Sequence, residues 1–245
     1  MKQVTVIGSG NAFHTDARAH ACYLLENSTG EMMLLDMGAT ALYRLQQEKT
    51  DLNAIGTFLI THFHGDHFGG LPFLLLEMDL IRKRKPELII AGPVGVARAC
   101  QQLIDICYPD FDFRFPIHYQ EIPDKGTALH GFQIQPVPME HKPESVGYRI
   151  TGSRGNSFAF SGDARMNSNL LDLVRDVDVA VIELTMEAQF DPPVKHIALD
   201  EVRRMRSKLR PRRLIFSHIY DDLARKASAE GLGEAAYDGM VIRFD

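Results

Sequence analysis

Short apolar runs bounded by glycine predict strands over residues 4–7, 21–26, 32–35 and 57–60, with Gly30 and Gly38 marking turns. Between the third and fourth of these, the spacing over residues 41–48 predicts a helix. From Gly69 the period changes: Leu71, Leu74, Leu75, Met78 and Ile81 recur at intervals of three and four, the stripe of a helix on a core, and Pro86 must stop it. A strand over 88–91 and a helix over 94–107 follow. Strands return over 117–122 and 133–137, then a hairpin over 147–160 whose turn is built on Gly152, Ser153, Gly155 and Asn156. The last third alternates, with helices near 170–174, 199–209 and 221–230 and strands over 179–184, 214–217 and 240–244. Two strand-rich halves, each backed by helices, predict an α/β fold of four αββα layers rather than a doubly wound parallel sheet.

Composition narrows the class. Of 245 residues 45% are apolar, and 27 Lys+Arg against 32 Asp+Glu leave a formal charge of −5. That is too apolar for a disordered chain, and no apolar run approaches the length of a membrane span. No Pro-, Gly- and Ser-rich stretch would serve as a linker, so residues 1–245 read as a single domain. Cys22, Cys100 and Cys107 form neither a CxxC pair nor an even disulfide set, and the opening residues lack the apolar core of a signal peptide, which together predict a reduced, cytoplasmic setting. Gly8-Ser9-Gly10 begins like a dinucleotide fingerprint, but Phe13 stands where the third glycine is needed. The net negative charge argues against indiscriminate nucleic-acid binding. A local basic stretch, Arg203, Arg204, Arg206, Lys208, Arg210, Arg212 and Arg213, reads as a solvated face or as a contact for a phosphate backbone.

One segment carries chemistry. Thr61-His62-Phe63-His64-Gly65-Asp66-His67 follows the apolar strand at 57–60 directly and precedes a helix. Side chains alternate along an extended segment, so His62, His64 and Asp66 are expected on one side, with His67 reaching the same point from the turn. Imidazole and carboxylate are ligands for zinc, manganese or iron, and a loop at a strand end makes an open site. His141, Asp163 and His218 each also follow a predicted strand, where a side chain joins a site at the sheet edge.

His62-Phe63-His64-Gly65-Asp66-His67 resembles the signature of the metallo-β-lactamase superfamily, and His141, Asp163 and His218 fall in the order of its remaining ligands. Within it the chain is similar to the ribonuclease Z-like phosphodiesterase branch. Gly8-Ser9-Gly10 with Arg18, Leu35-Asp36-Met37-Gly38, Gly69-Gly70-Leu71-Pro72, Gly92-Pro93, Gly147-Tyr148-Arg149-Ile150 and the stretch 214–218 carry the likeness, which spans residues 4–244. The resemblance implies the metallo-β-lactamase sandwich and two divalent metal ions, zinc first, with manganese or iron as alternatives. It implies that His62, His64 and His141 hold one metal, Asp66, His67 and His218 the other, and that Asp163 bridges them. It also implies catalytic roles for Asp66, which orients the nucleophile, and for Glu183 and His196, a pair that protonates the leaving group, with Glu183 ending a strand and His196 beginning a helix.

The same resemblance implies a hydroxide shared by two dications as nucleophile. Two dications less two carboxylates and the hydroxide leave a charge of about +1, which favours an anionic ester. The expected function is therefore a metal-dependent phosphodiesterase acting on a small cyclic or linear phosphodiester or an RNA end. Lactone, carboxyl-ester or thioester hydrolysis on the same fold, and a metal-binding regulatory protein without turnover, are the alternatives. Ribonuclease Z proper carries a long tRNA-gripping arm between the Gly-Tyr-Arg-Ile segment and the bridging aspartate, where this chain has a short hairpin. The expected partner is accordingly a small anionic molecule or short nucleic acid rather than an intact tRNA, with no membrane and with a homodimer as the assembly the resemblance allows.

Overall fold

A computed structural model describes residues 1–244. The chain opens with β1 (Gln3–Gly8), β2 (Cys22–Glu26), β3 (Met32–Met37), α1 (Ala41–Gln47) and β4 (Ile55–Leu59). The short helix α2 (Gly65–Phe68), α3 (Leu71–Leu76), β5 (Leu88–Gly92), α4 (Val96–Cys107) and β6 (Ile117–Glu121) complete the first half. The second half holds β7 (Thr127–Leu129), β8 (Phe132–Pro138), β9 (Val146–Gly152), β10 (Ser157–Phe160), α5 (Ser168–Val174), β11 (Val179–Glu183), α6 (Leu199–Met205), β12 (Arg213–Ser217), α7 (Asp221–Ala229), β13 (Glu234–Ala235) and β14 (Val241–Arg243).

The strands form two seven-stranded sheets, in the order β14-β1-β2-β3-β4-β5-β6 and β13-β12-β11-β10-β9-β8-β7. Alternation along the strands sends one set of side chains inward: Val4, Val6, Tyr23, Leu25, Met33 and Leu35 meet Phe132, Ile134, Tyr148, Ile150, Phe158 and Val181 between the sheets. The opposite set meets the helices. Ile7, Leu24, Leu34 and Phe58 pack on residues of α1, α3 and α4, while Ala180, Ile182, Leu214 and Phe216 pack on α5, α6 and α7. Helix, sheet, sheet and helix therefore stack as the expected αββα sandwich. Each fully buried Leu or Phe in these layers contributes roughly 1.5–3 kcal/mol of burial free energy.

The departures from expectation have local causes. The amphipathic stripe from Gly69 does not run as one α-helix: α3 gives way to a π-helical turn over Glu77–Ile81. That turn holds Asp79 inside, where it accepts hydrogen bonds from Arg114 N at 2.6 Å and Arg114 Nε at 2.6 Å. The helix has ended before Pro86 acts, and Arg84, buried, donates to the carbonyls of Asn53, Pro86 and Glu87. α4 begins two residues later than its pattern because Gly95 takes φ +91°. α6 stops at Met205, and the following residues tighten into a 3-10 turn. β7 and β13 are too short to leave a periodic signal. His196 lies in irregular chain three residues before α6 rather than at its start.

Candidate metal centre

The chemistry-bearing residues lie at strand ends on one edge of the two sheets. β4 ends at Leu59 and delivers Thr61 and His62; β11 ends on Glu183; β12 is followed at once by His218. Asp163 follows β10 through Gly162, whose φ is +56° and where an added Cβ would lie 2.8 Å from Thr61 Cβ. Only glycine lets the two sheets' loops approach this closely. Asp36 and His218 also adopt left-handed φ, +53° and +54°, in side-chain-bearing residues. Strain of roughly 1–3 kcal/mol apiece is the usual cost of such a backbone.

Seven residues expected from the sequence meet here in two groups. One is His62, His64, His141 and Asp163, the other Asp66, His67, Asp163 and His218; in each, one donor atom per residue lies within 4.8 Å of the others. Asp163 is common to both. Simple alternation accounts for His62 and His64, but not for Asp66, which stands on the helical turn α2 and faces the second group rather than the first. The distances are short for unbridged donors: His64 Nδ1 and His141 Nε2 are 3.1 Å apart, and His218 Nε2 is 3.1 Å from Asp66 Oδ2.

The residues fit metal ions on a specific observation. His62 Nε2, His67 Nε2 and Asp163 Oδ1 are buried and make no well-aligned hydrogen bond, although the last two stand 3.1 Å apart. Buried polar atoms without partners cost about 1–3 kcal/mol each, and all three face the two donor groups. Behind them the other ring nitrogens are held. His67 Nδ1 lies 2.7 Å from Asp36 Oδ2, and His141 Nδ1 donates to the Lys195 carbonyl at 2.9 Å. Such outer partners fix tautomer and ring orientation for metal binding. Asp36 and Thr61 are not among the residues the sequence singles out as ligands or catalysts; Leu35-Asp36-Met37-Gly38 stands out only as a turn that shares in the family resemblance. An aspartate closing an apolar strand is the signal that could have marked it.

Electrostatics follow from the same contacts. Burial opposes charge on His67, but Asp163, Asp36 and Asp66 surround it and hold its imidazolium well above the usual range. His62 goes the other way, pushed to about 2 by burial and then by the charge of His67. Asp163 is buried, yet His218, His67 and His62 keep its carboxyl well below the ordinary value. Burial likewise opposes charge on His196, while Glu183, whose Oε1 and Oε2 lie 3.0 and 3.1 Å from His196 Nδ1, lifts it to about 9. His196 Nδ1 is also 3.9 Å from Asp163 Oδ2, so the expected pair stands at the edge of the donor groups.

The basic stretch is mostly committed elsewhere. Arg203 pairs with Glu230, Arg204 with Asp200, Arg212 with Asp178 and Arg213 with Glu234, and Arg206 donates to the carbonyls of Leu209 and Leu232. These contacts neutralise part of the charge of the stretch.

Comparison with known proteins agrees with this geometry. The family model described as anti-Pycsar protein Apyc1 matches residues 2–238. A ribonuclease Z from Methanosarcina acetivorans is 22% identical over an alignment covering 89% of this chain and 88% of that protein. The metallo-β-lactamase fold protein YhfI from Bacillus subtilis superposes with a TM-score of 0.80 at 20% identity, covering 99% of each chain. A diphosphatase of the PhnP family gives a TM-score of 0.78 at 18% identity, covering 100% of this chain and 98% of the other.

Proposed function

Because the chain belongs to the family of the anti-Pycsar protein Apyc1 and is a metal-dependent hydrolase of the metallo-β-lactamase superfamily, we propose that it cleaves small phosphodiesters in one hydrolase domain. The observation that carries this reading is the Glu183–His196 pair standing beside the shared carboxylate Asp163. An alkoxide leaving a phosphodiester needs a proton from such an acid, whereas the thiolate leaving a thioester does not. Relatives named for ribonuclease and diphosphatase activity support the same P–O chemistry.

His62, His64 and His141 would hold one dication and Asp66, His67 and His218 a second, with Asp163 on both; zinc, manganese or iron suits this nitrogen- and oxygen-rich set. Bound there, the ions supply positive charge toward a phosphodiester and make water acidic enough to attack near neutral pH. The remaining steps belong to side chains. Asp66 is held ionised against its burial by the His218 and His67 imidazoles beside it, and it orients the attacking water. Glu183 accepts from His196 Nδ1 and so aims His196 Nε2 outward. From Nε2 the imidazolium passes its proton to the departing oxygen, and the alkoxide leaves as an alcohol.

What surrounds the centre supports a small or short substrate. The interval between β9 and β10 is a tight hairpin with no arm, and the arginines near α6 are engaged with acids and carbonyls of the chain itself. The test is turnover by metal-loaded protein of bis(p-nitrophenyl) phosphate, cyclic nucleotides and a lactone panel. Phosphodiester turnover with none on lactones is the expected result, and the reverse preference overturns the proposal.

A further inference from the structure

We propose that Thr185 is a positioning residue: its hydroxyl joins the Glu183 carboxylate to His218 and fixes His218 in the tautomer that offers Nε2 to a metal. The inference rests on the dinuclear hydrolase reading above and deepens it.

Thr185 lies two residues beyond the end of β11, across from the residue that follows the neighbouring strand β12. Its Oγ1 is 2.5 Å from Glu183 Oε2 and 2.9 Å from His218 Nδ1. A hydroxyl has one proton to give and lone pairs to receive with. An ionised carboxylate oxygen only accepts, so the short contact demands that the threonine proton point at Glu183. The His218 carbonyl, at 3.5 Å, is too distant to compete for it. What the hydroxyl then turns toward His218 is a lone pair, and the imidazole must answer with Nδ1–H. Its Nε2 is then free to give a lone pair to an ion held together with Asp66, whose Oδ2 lies at 3.1 Å, and Asp163, whose Oδ1 lies at 3.6 Å.

The fold builds this arrangement twice. Thr61 Oγ1 donates to Asp36 Oδ2 at 2.8 Å and lies 3.1 Å from His62 Nδ1, which orders carboxylate, threonine and histidine in the same sequence of contacts. Each carboxylate also takes a second imidazole directly, His67 on Asp36 and His196 on Glu183. The two chains end on different donor groups, His62 in the first and His218 in the second. Glu183 consequently has two tasks: it orients the acid His196, and through Thr185 it orients a ligand. Ala164 N, at 2.6 Å, and Ile197 N, at 3.3 Å, hold the carboxylate in place for both.

Thr185→Val keeps the shape and removes the hydroxyl, and Thr185→Ser keeps the hydroxyl and removes the methyl. Zinc is titrated into each metal-free protein against a competing chelator. The expected result is second-site zinc affinity roughly 10–100-fold weaker in Thr185→Val, with Thr185→Ser within about threefold of the unaltered protein, the range seen when an outer-shell partner is lost or kept. An unchanged affinity in Thr185→Val, or an equal loss in Thr185→Ser, overturns the proposal. A second measurement does not depend on either variant folding. In the unaltered zinc-loaded protein, nitrogen NMR of labelled histidine should find the His218 proton on Nδ1, and a proton on Nε2 refutes the inference. Two tightly bound zinc ions with the wrong tautomer would remove this role alone, whereas failure to bind zinc at all would remove the dinuclear reading and this inference with it.

Discussion

Replacing His196 with alanine separates the acid from the metal-binding residues. The His196 side chain is three-quarters covered, at 24% exposure, and its Nδ1 is spent on Glu183. Its removal leaves the Glu183 carboxylate with hydrogen bonds from Ala164 N, Thr185 and Ile197 N, so the buried charge is still satisfied and the fold should hold. His196 is in neither of the two four-residue donor groups and joins only a third set with Glu183 and His218, so the two ions assigned to the four-residue groups should stay bound. The catalytic loss should be large, because Glu183 favours the charged imidazole and holds it where it can give up a proton. General acid catalysis of this kind is worth roughly 10²–10⁴-fold, or about 2.7–5.4 kcal/mol of barrier, on a substrate whose leaving group is a poor alkoxide. An aryl ester such as bis(p-nitrophenyl) phosphate releases a stable anion without that proton and should lose much less. The assay is kcat on one substrate of each kind, with bound metal counted in the same samples. Glu183→Gln should show the contrast in weaker form. Equal losses on both substrates, or loss of metal from His196→Ala, would refute the assignment and make His196 a ligand or a structural residue.

Two further outcomes follow from the same structure. With no arm between β9 and β10 and with the arginines near α6 paired, an intact pre-tRNA gains no remote binding energy, so its kcat/KM should not exceed that of a short oligonucleotide with the same scissile bond; a large preference for the full tRNA, measured by competition cleavage, contradicts this. Burial pushes the Cys100 thiol up to about 12 and the Cys22 thiol well above its ordinary value, whereas Cys107 is exposed. A thiol reagent at neutral pH should therefore label one cysteine per native chain and three after denaturation, and rapid labelling of two in the native protein would show that a buried cysteine is accessible.

Much of this was written in the chain in two alphabets. Short apolar runs such as 4–7 and 179–184 and the apolar stripe near Leu71 gave the layers, because burial leaves a continuous or periodic trace in sequence. His62 to His67 gave the site's nucleus for a similar reason: four metal-capable side chains in six residues have few other uses. His141, Asp163 and His218 were visible only as polar residues at strand ends, and it was resemblance rather than spacing that grouped them. What escaped notice was of another kind. Asp36, Thr61 and Thr185 act through single hydrogen bonds across the sheets, to residues 25 to 33 positions away or adjacent in sequence, and such contacts have no period. The π-helical turn at Glu77–Ile81 escaped because its partner, Arg114, comes 35 residues after Asp79. His196 was expected at a helix start, but three residues of irregular chain put it where it meets Glu183.

Metal stoichiometry tests the central claim most directly, since everything proposed for this site depends on two ions sharing Asp163. Elemental analysis of the purified, metal-loaded protein should find close to two transition-metal ions per chain. Asp163 is the one residue common to both donor groups, so Asp163→Ala should lower occupancy of both and abolish phosphodiester turnover in the same preparation. Two ions retained in Asp163→Ala with activity intact, or no bound metal in an unaltered protein that still hydrolyses phosphodiesters, would contradict the account.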